Sequence, residues 1–290
     1  MTDVLGGTGT EASGTAEEAE RLRGEIRDLR AQVRTRPLIA QAQGLLTERY
    51  RLRGAETAFA LMQQASQRFN IKLRTVAEAV IAVPRPDTDQ SLWFPGRTRR
   101  GAPPLDTLGM DGADRAHHSE VLSAVLTQAL AITSATMGNV QLADRAGRVL
   151  RIEKHTGLSA EFVDFFAVVG DRGTSCAQAA ADVAQTTVRD VATYPVFTPQ
   201  AREAILKAGS RACHSIPLAT SDGTCLGMVS AHLDRPIQDL HPAQLAALEQ
   251  TGRQAGAWLS WHERTIVLDA LEHLHATARD PAATPPARRR

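Results

Sequence analysis

Seven Arg or Lys side chains stand against three Glu between residues 36 and 81. Such a density of cations bonds phosphates, and guanidinium planes stack on unpaired bases. Arg34, Arg36, Arg49, Arg51, Arg53, Arg68, Lys72 and Arg74 are therefore candidates for nucleic-acid contact. Other chemistry finds little support. Cys176, Cys213 and Cys225 have no metal-like spacing, and no His-x-x-x-His or Cys-x-x-Cys pair occurs. The run GGTGTEASG at the N-terminus has no strand before it, so it fails as a phosphate loop. His117 and His118 lie in no ATP-binding pattern. We expect no catalytic residues, no metal site and no evident cofactor.

The elements that must position these cations are helical. Residues 21–83 carry twelve bases and five acids, whereas residues 1–20 carry five acids and no base. The basic block thus coincides with one folding unit. Residues 1–15 are small and polar, which predicts disorder. A helix is expected over 16–35, with Leu22, Ile26, Leu29 and Val33 in a heptad seam suited to a dimer. Pro37 lacks an N–H and should kink this helix or open a new one. A three-helix bundle then fills 36–83, punctuated by Gly54, Asn70 and Pro84. Ala42, Ala58, Ala65 and Ala77 permit close helix approach, and Phe59 is large enough to fill the centre.

Residues 84–112 hold five Pro and four Gly and read as a linker, with Trp93 and Phe94 either docked or exposed. From 113 to 276 helices frame alternating strands. A helix is expected over 113–132, then a hairpin turning at Asp144–Gly147. Further expectations are a Ser159-capped helix to Val168, a strand over 187–191 and a helix from Pro199. A second hairpin turns at Ser221–Thr224, and one long helix runs from Pro242 to about Ala276. Residues 277–290 predict a disordered tail. The fold class is therefore two-domain: an all-α coiled coil plus three-helix bundle, then an α+β domain with an antiparallel sheet. An odd cysteine count, no apolar leader and no bilayer-length apolar run predict a cytoplasmic protein without membrane attachment.

Arg36, Leu38-Ile39, Gln41-Ala42, Gly44-Leu45-Leu46, Ala58-Phe59, Leu61, Ala65, Asn70, Lys72-Leu73 and Val76-Ala77 together resemble an ANTAR domain. The resemblance implies a dimer that binds paired hairpin loops of a nascent transcript and blocks terminator formation. It adds Gln41 and Gln43 to the RNA-binding candidates. Three positions depart from the family pattern: Gln43 replaces a usual Lys, Met62 a frequent Arg, and Thr75 a common acid. The Leu142–Ile152 hairpin, Gly173-Thr174-Ser175-Cys176, Val188–Val191, Tyr194–Phe197 and the 215–230 hairpin resemble a GAF domain. That implies a sensor for an unknown small molecule or redox signal, with a pocket between the sheet and residues 155–200. Cys176, Asp190, Tyr194, Phe197 and His214 are the expected lining; His232, His241 and His262 read as surface or cap residues. Two alternatives stay open: an interaction module that has lost RNA binding, and a GAF-type thiol redox enzyme or sensor built on the three cysteines.

Overall fold

The computed structural model describes residues 8–113, 117–144, 147–170 and 172–280, and only some side chains before residue 36. Helix α1 spans Thr8–Tyr50, α2 Ala55–Phe69 and α3 Leu73–Ala82. The helical start at Thr8 corrects the expected disorder to residue 15; residues 1–7 lie outside the described residues. Pro37 neither breaks nor restarts the helix: α1 runs through it as one element of 43 residues. Proline forfeits one i→i−4 bond, and the turns just beyond it are held by packing. Leu38 and Ile39 rest on the bundle core, and Ala42 and Leu46 are buried in it. Asn70 ends α2 in the left-handed conformation, its N–H returning to the Gln67 and Ser66 carbonyls.

The four alanines are fully buried, as close approach requires. Phe59 does not fill the centre: it is only partly buried, and Leu46, Leu61 and Met62 occupy the core.

The second unit is a six-stranded antiparallel sheet in the order β3-β2-β1-β6-β5-β4. Its strands are β1 Met137–Asp144, β2 Val149–Thr156, β3 Val168–Val169, β4 Thr186–Val188, β5 Ala212–Ala219 and β6 Cys225–Leu233. Helices α4 (His118–Thr133) and α8 (Pro242–His262) cover one face over Val140, Ile216, Leu218 and Val229. At Gly252 and Gly256 a Cβ would overlap the carbonyls of Pro217 and Ala219, so these glycines let α8 lie flush on β5. The other face is covered by α5 (Ala160–Phe165), α6 (Ser175–Asp182) and α7 (Pro199–Lys207). Three boundaries differ from expectation. The first helix starts at His118 rather than residue 113, α5 stops at Phe165, and Val168 pairs with Arg151 as strand.

The largest departure is at the C-terminus. After α8 the chain passes through a π-helical turn, Glu263–Val267, into α9 (Leu268–Arg279). Helix α9 does not belong to the sensor core: Ala270, Leu271 and Leu274 are buried among the residues of α1, α2 and α3. The N-terminal bundle therefore has four helices, the last supplied across the π turn. It also extends the ordered chain past 276; residues 281–290 lie outside the described residues.

Nor is 84–112 a free linker. Trp93 is buried in the bundle, its indole N–H donating to Pro84 O (3.0 Å). The backbone N–H groups of Trp93 and Phe94 donate to the Glu272 carboxylate at 2.8 and 2.9 Å. His275 locks the same strap. Its Nε2–H donates to Gln90 O (3.0 Å), which leaves Nδ1 to accept from the Tyr50 hydroxyl (2.7 Å). Among the described residues no helix is long and apolar enough to cross a membrane.

Candidate functional site

The predicted RNA-facing cations separate into three environments. Arg36, Arg51, Arg53 and Arg68 are exposed, with Arg51 and Arg53 side by side in the α1–α2 turn. Arg49 is withdrawn: it is buried and lies 5.0 Å over the Trp93 ring, a cation–π contact that makes it structural. Desolvation lowers its pKa below the ordinary arginine value. Arg34 lies on α1, but its side chain is outside the described residues. Gln41 is exposed, whereas Gln43 donates from Nε2 to Ala55 O (2.8 Å) and braces the start of α2. Met62, the second departure from the pattern, is a core residue.

Lys72 and Arg74 form the third environment. Both close on Glu153 of β2, Lys72 Nζ at Oε2 and Arg74 Nη2 at Oε1. The Glu153 side chain is 2% exposed, against 57% for Lys72 and 23% for Arg74. The carboxylate is thus supplied from the sensor sheet and pressed into the bundle's basic corner. Burial works against its charge, and Arg74 and Lys72 outweigh burial, so its pKa lies below the ordinary 4.5.

A local irregularity aims it there. Val140 pairs with Lys154 and Gln141 with Ile152, so Glu153 is the extra residue of a β-bulge. Bulges re-aim side chains and recur beside functional sites. Asn70 and His117 add a second contact between the units, amide to imidazole at 3.1 Å.

Beneath this contact lies a cavity of about 310 Å³. Its walls come from both units and from the π turn: Arg74 and Glu78 on α3, His118 on α4, Asp144 and Arg151 on the β1–β2 hairpin, and His262 at the end of α8. Arg151 bonds Asp144 through Nε and Nη2 at 3.0 and 2.8 Å. Desolvation raises the Glu78 carboxyl, although Arg74 Nε stands 3.2 Å from it. His118 and His262, with ring centroids 5.0 Å apart, are held at about 4 and about 3, mainly by desolvation, so both are neutral at physiological pH. His262 is buried against Trp258 (5.1 Å), which corrects the surface reading. His241 does cap: its backbone N–H donates to Gln244 Oε1 (2.9 Å) at the start of α8.

The sensor pocket is a second, smaller space of about 20 Å³ on the opposite sheet face. Cys176 and Phe197 line it as expected; Asp190, Tyr194 and His214 do not. Successive strand residues face opposite ways. Cys213 therefore takes the pocket side, and His214 bonds Thr187 Oγ1 and Gln185 Oε1, each at 2.8 Å, on the other. Asp190 stays half-exposed, its carboxylate accepting from Ala192 N–H (3.0 Å). Tyr194 packs on the rim, 6.3 Å from Phe197 between centroids. The residues missed by sequence reasoning include the polar floor, Asn139, Gln141, Ser230 and His232, the roof, Phe162 and Phe166, and Thr174, Ser175, Ile205 and Cys213 between them. His232 is buried, bonding Ser210 Oγ at 3.0 Å and Asn139 Oδ1 at 3.2 Å.

Cys176 and Cys213 are buried and their thiols are pushed up by desolvation, Cys213 to about 12. Burial of this kind disfavours the thiolate form. No cluster of His, Cys, Asp or Glu suited to a metal occurs among the described residues.

The seam residues of α1 have no cover in the single chain: Leu22, Ile26, Leu29 and Val33 are 45–69% exposed. Nearby, Arg30 Nη1 donates to Asp164 Oδ2 on α5 (2.8 Å).

Comparison with known proteins agrees with the two-unit division. The ANTAR domain family model matches residues 27–81, and the GAF domain model residues 117–259. Among solved structures, the chain is similar to the GAF domain from an Acinetobacter phosphoenolpyruvate-protein phosphotransferase. That match has 14% identity, covers 55% of this chain and 94% of that one, and has a TM-score of 0.44. A GAF domain/HD domain protein from Geobacter sulfurreducens matches at 17% identity, 52% and 97% coverage and TM-score 0.45. The free methionine-R-sulfoxide reductase from Neisseria meningitidis matches at 17% identity, 51% and 82% coverage and TM-score 0.39. No curated protein matches the chain.

Proposed function

We propose that this chain, an ANTAR domain at 27–81 followed by a GAF domain at 117–259, is a dimeric regulator of transcription antitermination that binds RNA under control of its sensor domain. One observation carries the reading of control. Lys72 and Arg74, two of the cations expected to meet RNA, are held by Glu153 of the sensor sheet. In this closed state a protein carboxylate occupies the place a phosphate would take. RNA and Glu153 compete for the same two side chains, so RNA affinity depends on how readily the sensor sheet lets go. A sensor ligand alters that only if it binds the open and closed states with different affinity.

Dimerisation would use α1. Its apolar seam is exposed in the single chain, and two such helices side by side would cover it. Action on nascent RNA would require the cytoplasm, whose reducing conditions suit a chain that keeps its cysteines as thiols.

The test is binding of the full-length chain to an RNA with two paired-loop stems at physiological salt. A control RNA has scrambled loops, and the control protein carries Lys72→Ala with Arg74→Ala. Loop-dependent binding that the double variant loses supports the proposal. Equal, salt-sensitive binding to both RNAs would instead favour an interaction module without RNA specificity.

A further inference from the structure

The pocket under the phenylalanine roof carries a chemical specification. None of the described residues that line it bears a charge: its polar groups are the amides of Asn139 and Gln141, the hydroxyls of Thr174, Ser175 and Ser230, the Cys176 and Cys213 thiols, and the His232 imidazole. Desolvation pushes the two thiols up and holds the His232 imidazole down at about 4, so the thiols stay protonated and the imidazole neutral at physiological pH. Most of these groups have partners. Ser175 bonds Ser215 (3.3 Å), Ser215 bonds Ser230 (3.0 Å), and Thr174 bonds Cys176 (3.1 Å). Gln141 is the exception. It is 1% exposed, lines the pocket, and its Oε1 has no hydrogen-bond partner. An orphan amide oxygen in a buried, otherwise satisfied wall is costly and calls for a donor.

We propose that this pocket takes a small uncharged molecule with a hydrogen-bonding head and an apolar flank, a primary amide or an alcohol, whose N–H or O–H donates to Gln141 while Phe162, Phe166 and Phe197 enclose its carbon side. An ionised ligand would enter with no counter-charge to meet it, and desolvation would exclude it. The space of about 20 Å³ is the size of a water molecule, so anything larger must displace part of its lining. The roof helix α5 is also the one that Arg30 of α1 grips through Asp164.

The position of Gln141 deepens the control reading, on which this part of the inference rests. Gln141 sits on β1 at the register skip that makes Glu153 the bulged residue of β2. The ligand-facing amide and the carboxylate that holds Lys72 and Arg74 therefore belong to the same irregularity of the sheet. A ligand that moves Gln141 acts on the bulge directly, without a longer route.

The test needs no RNA, so it fails or succeeds independently of the RNA proposal. Acetamide, propionamide and ethanol would be titrated into full-length protein, with acetate as the charged isostere of acetamide. The readouts are the Gln141 side-chain amide resonances and the melting temperature. Saturable shifts with acetamide or ethanol, and at least a tenfold weaker response to acetate, are expected. Gln141→Leu should melt no lower than the parent and weaken the response at least tenfold. Phe166→Leu, which trims the roof, should strengthen propionamide binding, and it keeps the test decisive if the Gln141 variant does not fold. Acetate binding as well as acetamide, probe binding unchanged in Gln141→Leu, or no saturable response in parent and Phe166→Leu alike would overturn the assignment; the last would mean that the pocket serves water alone.

Discussion

Glu153→Gln is the substitution that most directly probes the closed state. It keeps the side chain's size and one carbonyl while removing the charge shared by Lys72 and Arg74. Removing one member of a fully buried ion pair costs about 3–5 kcal/mol, whereas an exposed pair contributes about 0–1 kcal/mol. Here the carboxylate is 2% exposed, but Lys72 is 57% exposed and Arg74 keeps Glu78 at 3.2 Å. The loss to the closed state is then about 1–3 kcal/mol, a shift of roughly 5- to 150-fold toward opening. RNA affinity, read by fluorescence anisotropy on the two-stem RNA, should rise within that range, and by less if the open state is already populated in the parent. A second readout separates control from a bland charge effect. The counter-ions released on binding come from the RNA phosphates, so two contacts would release the same number in parent and variant. The slope of log K against log salt should therefore stay nearly the same in Glu153→Gln while affinity rises, whereas extra nonspecific charge contacts would steepen it by about 0.7 each for single-stranded contacts. Equal affinity in parent and variant, with the melting temperature unchanged, would refute competition between RNA and Glu153.

Three further outcomes follow from the packing. Ile26→Arg with Leu29→Arg should convert the proposed dimer to a monomer by light scattering and lower RNA affinity, because these apolar side chains are exposed in the single chain; a parent that is already monomeric at micromolar concentration would defeat the dimer proposal. Trp93→Ala should cost about 3–5 kcal/mol in denaturant unfolding, since it empties a buried site and leaves Arg49 without its ring; a loss below about 1 kcal/mol would return 84–112 to the status of a linker. His118, His214, His232 and His262 are held neutral, at about 4, 4, 4 and 3 against 6.5 in the unfolded chain. The unfolded state binds their protons first, so stability is full above pH 6.5 and falls as pH drops from 6.5 toward 4. At pH 5.5 each contributes a loss of about 1 kcal/mol. His262→Phe should flatten the fall in melting temperature, and an unchanged slope would contradict its burial as a neutral ring.

Much of the fold was legible because local chemistry announced it. Gly54, Asn70 and Pro84 punctuate the bundle helices, and a Gly-containing turn marks each long hairpin. The site was legible only in part, and the reasons are tertiary. Strand β5 is buried on both faces, so its sequence shows no in-out alternation from which to choose Cys213 over His214 as the pocket residue. The run from Pro242 to about Ala276 reads as one helix, yet the π turn at 263–267 shifts its phase and hands α9 from the sensor to the bundle. Neither that shift nor the bulge at Glu153 has a residue signature, since both arise from how neighbouring elements meet. Lys72, Arg74 and Glu153 each look like ordinary solvated charges, and only a contact across some eighty residues reveals the set. This is why the basic stretch alone supports a nucleic-acid surface but not its control. Composition records which charges a domain owns, whereas control depends on which carboxylate the other domain can bring to them, and that is decided by one extra residue in a strand.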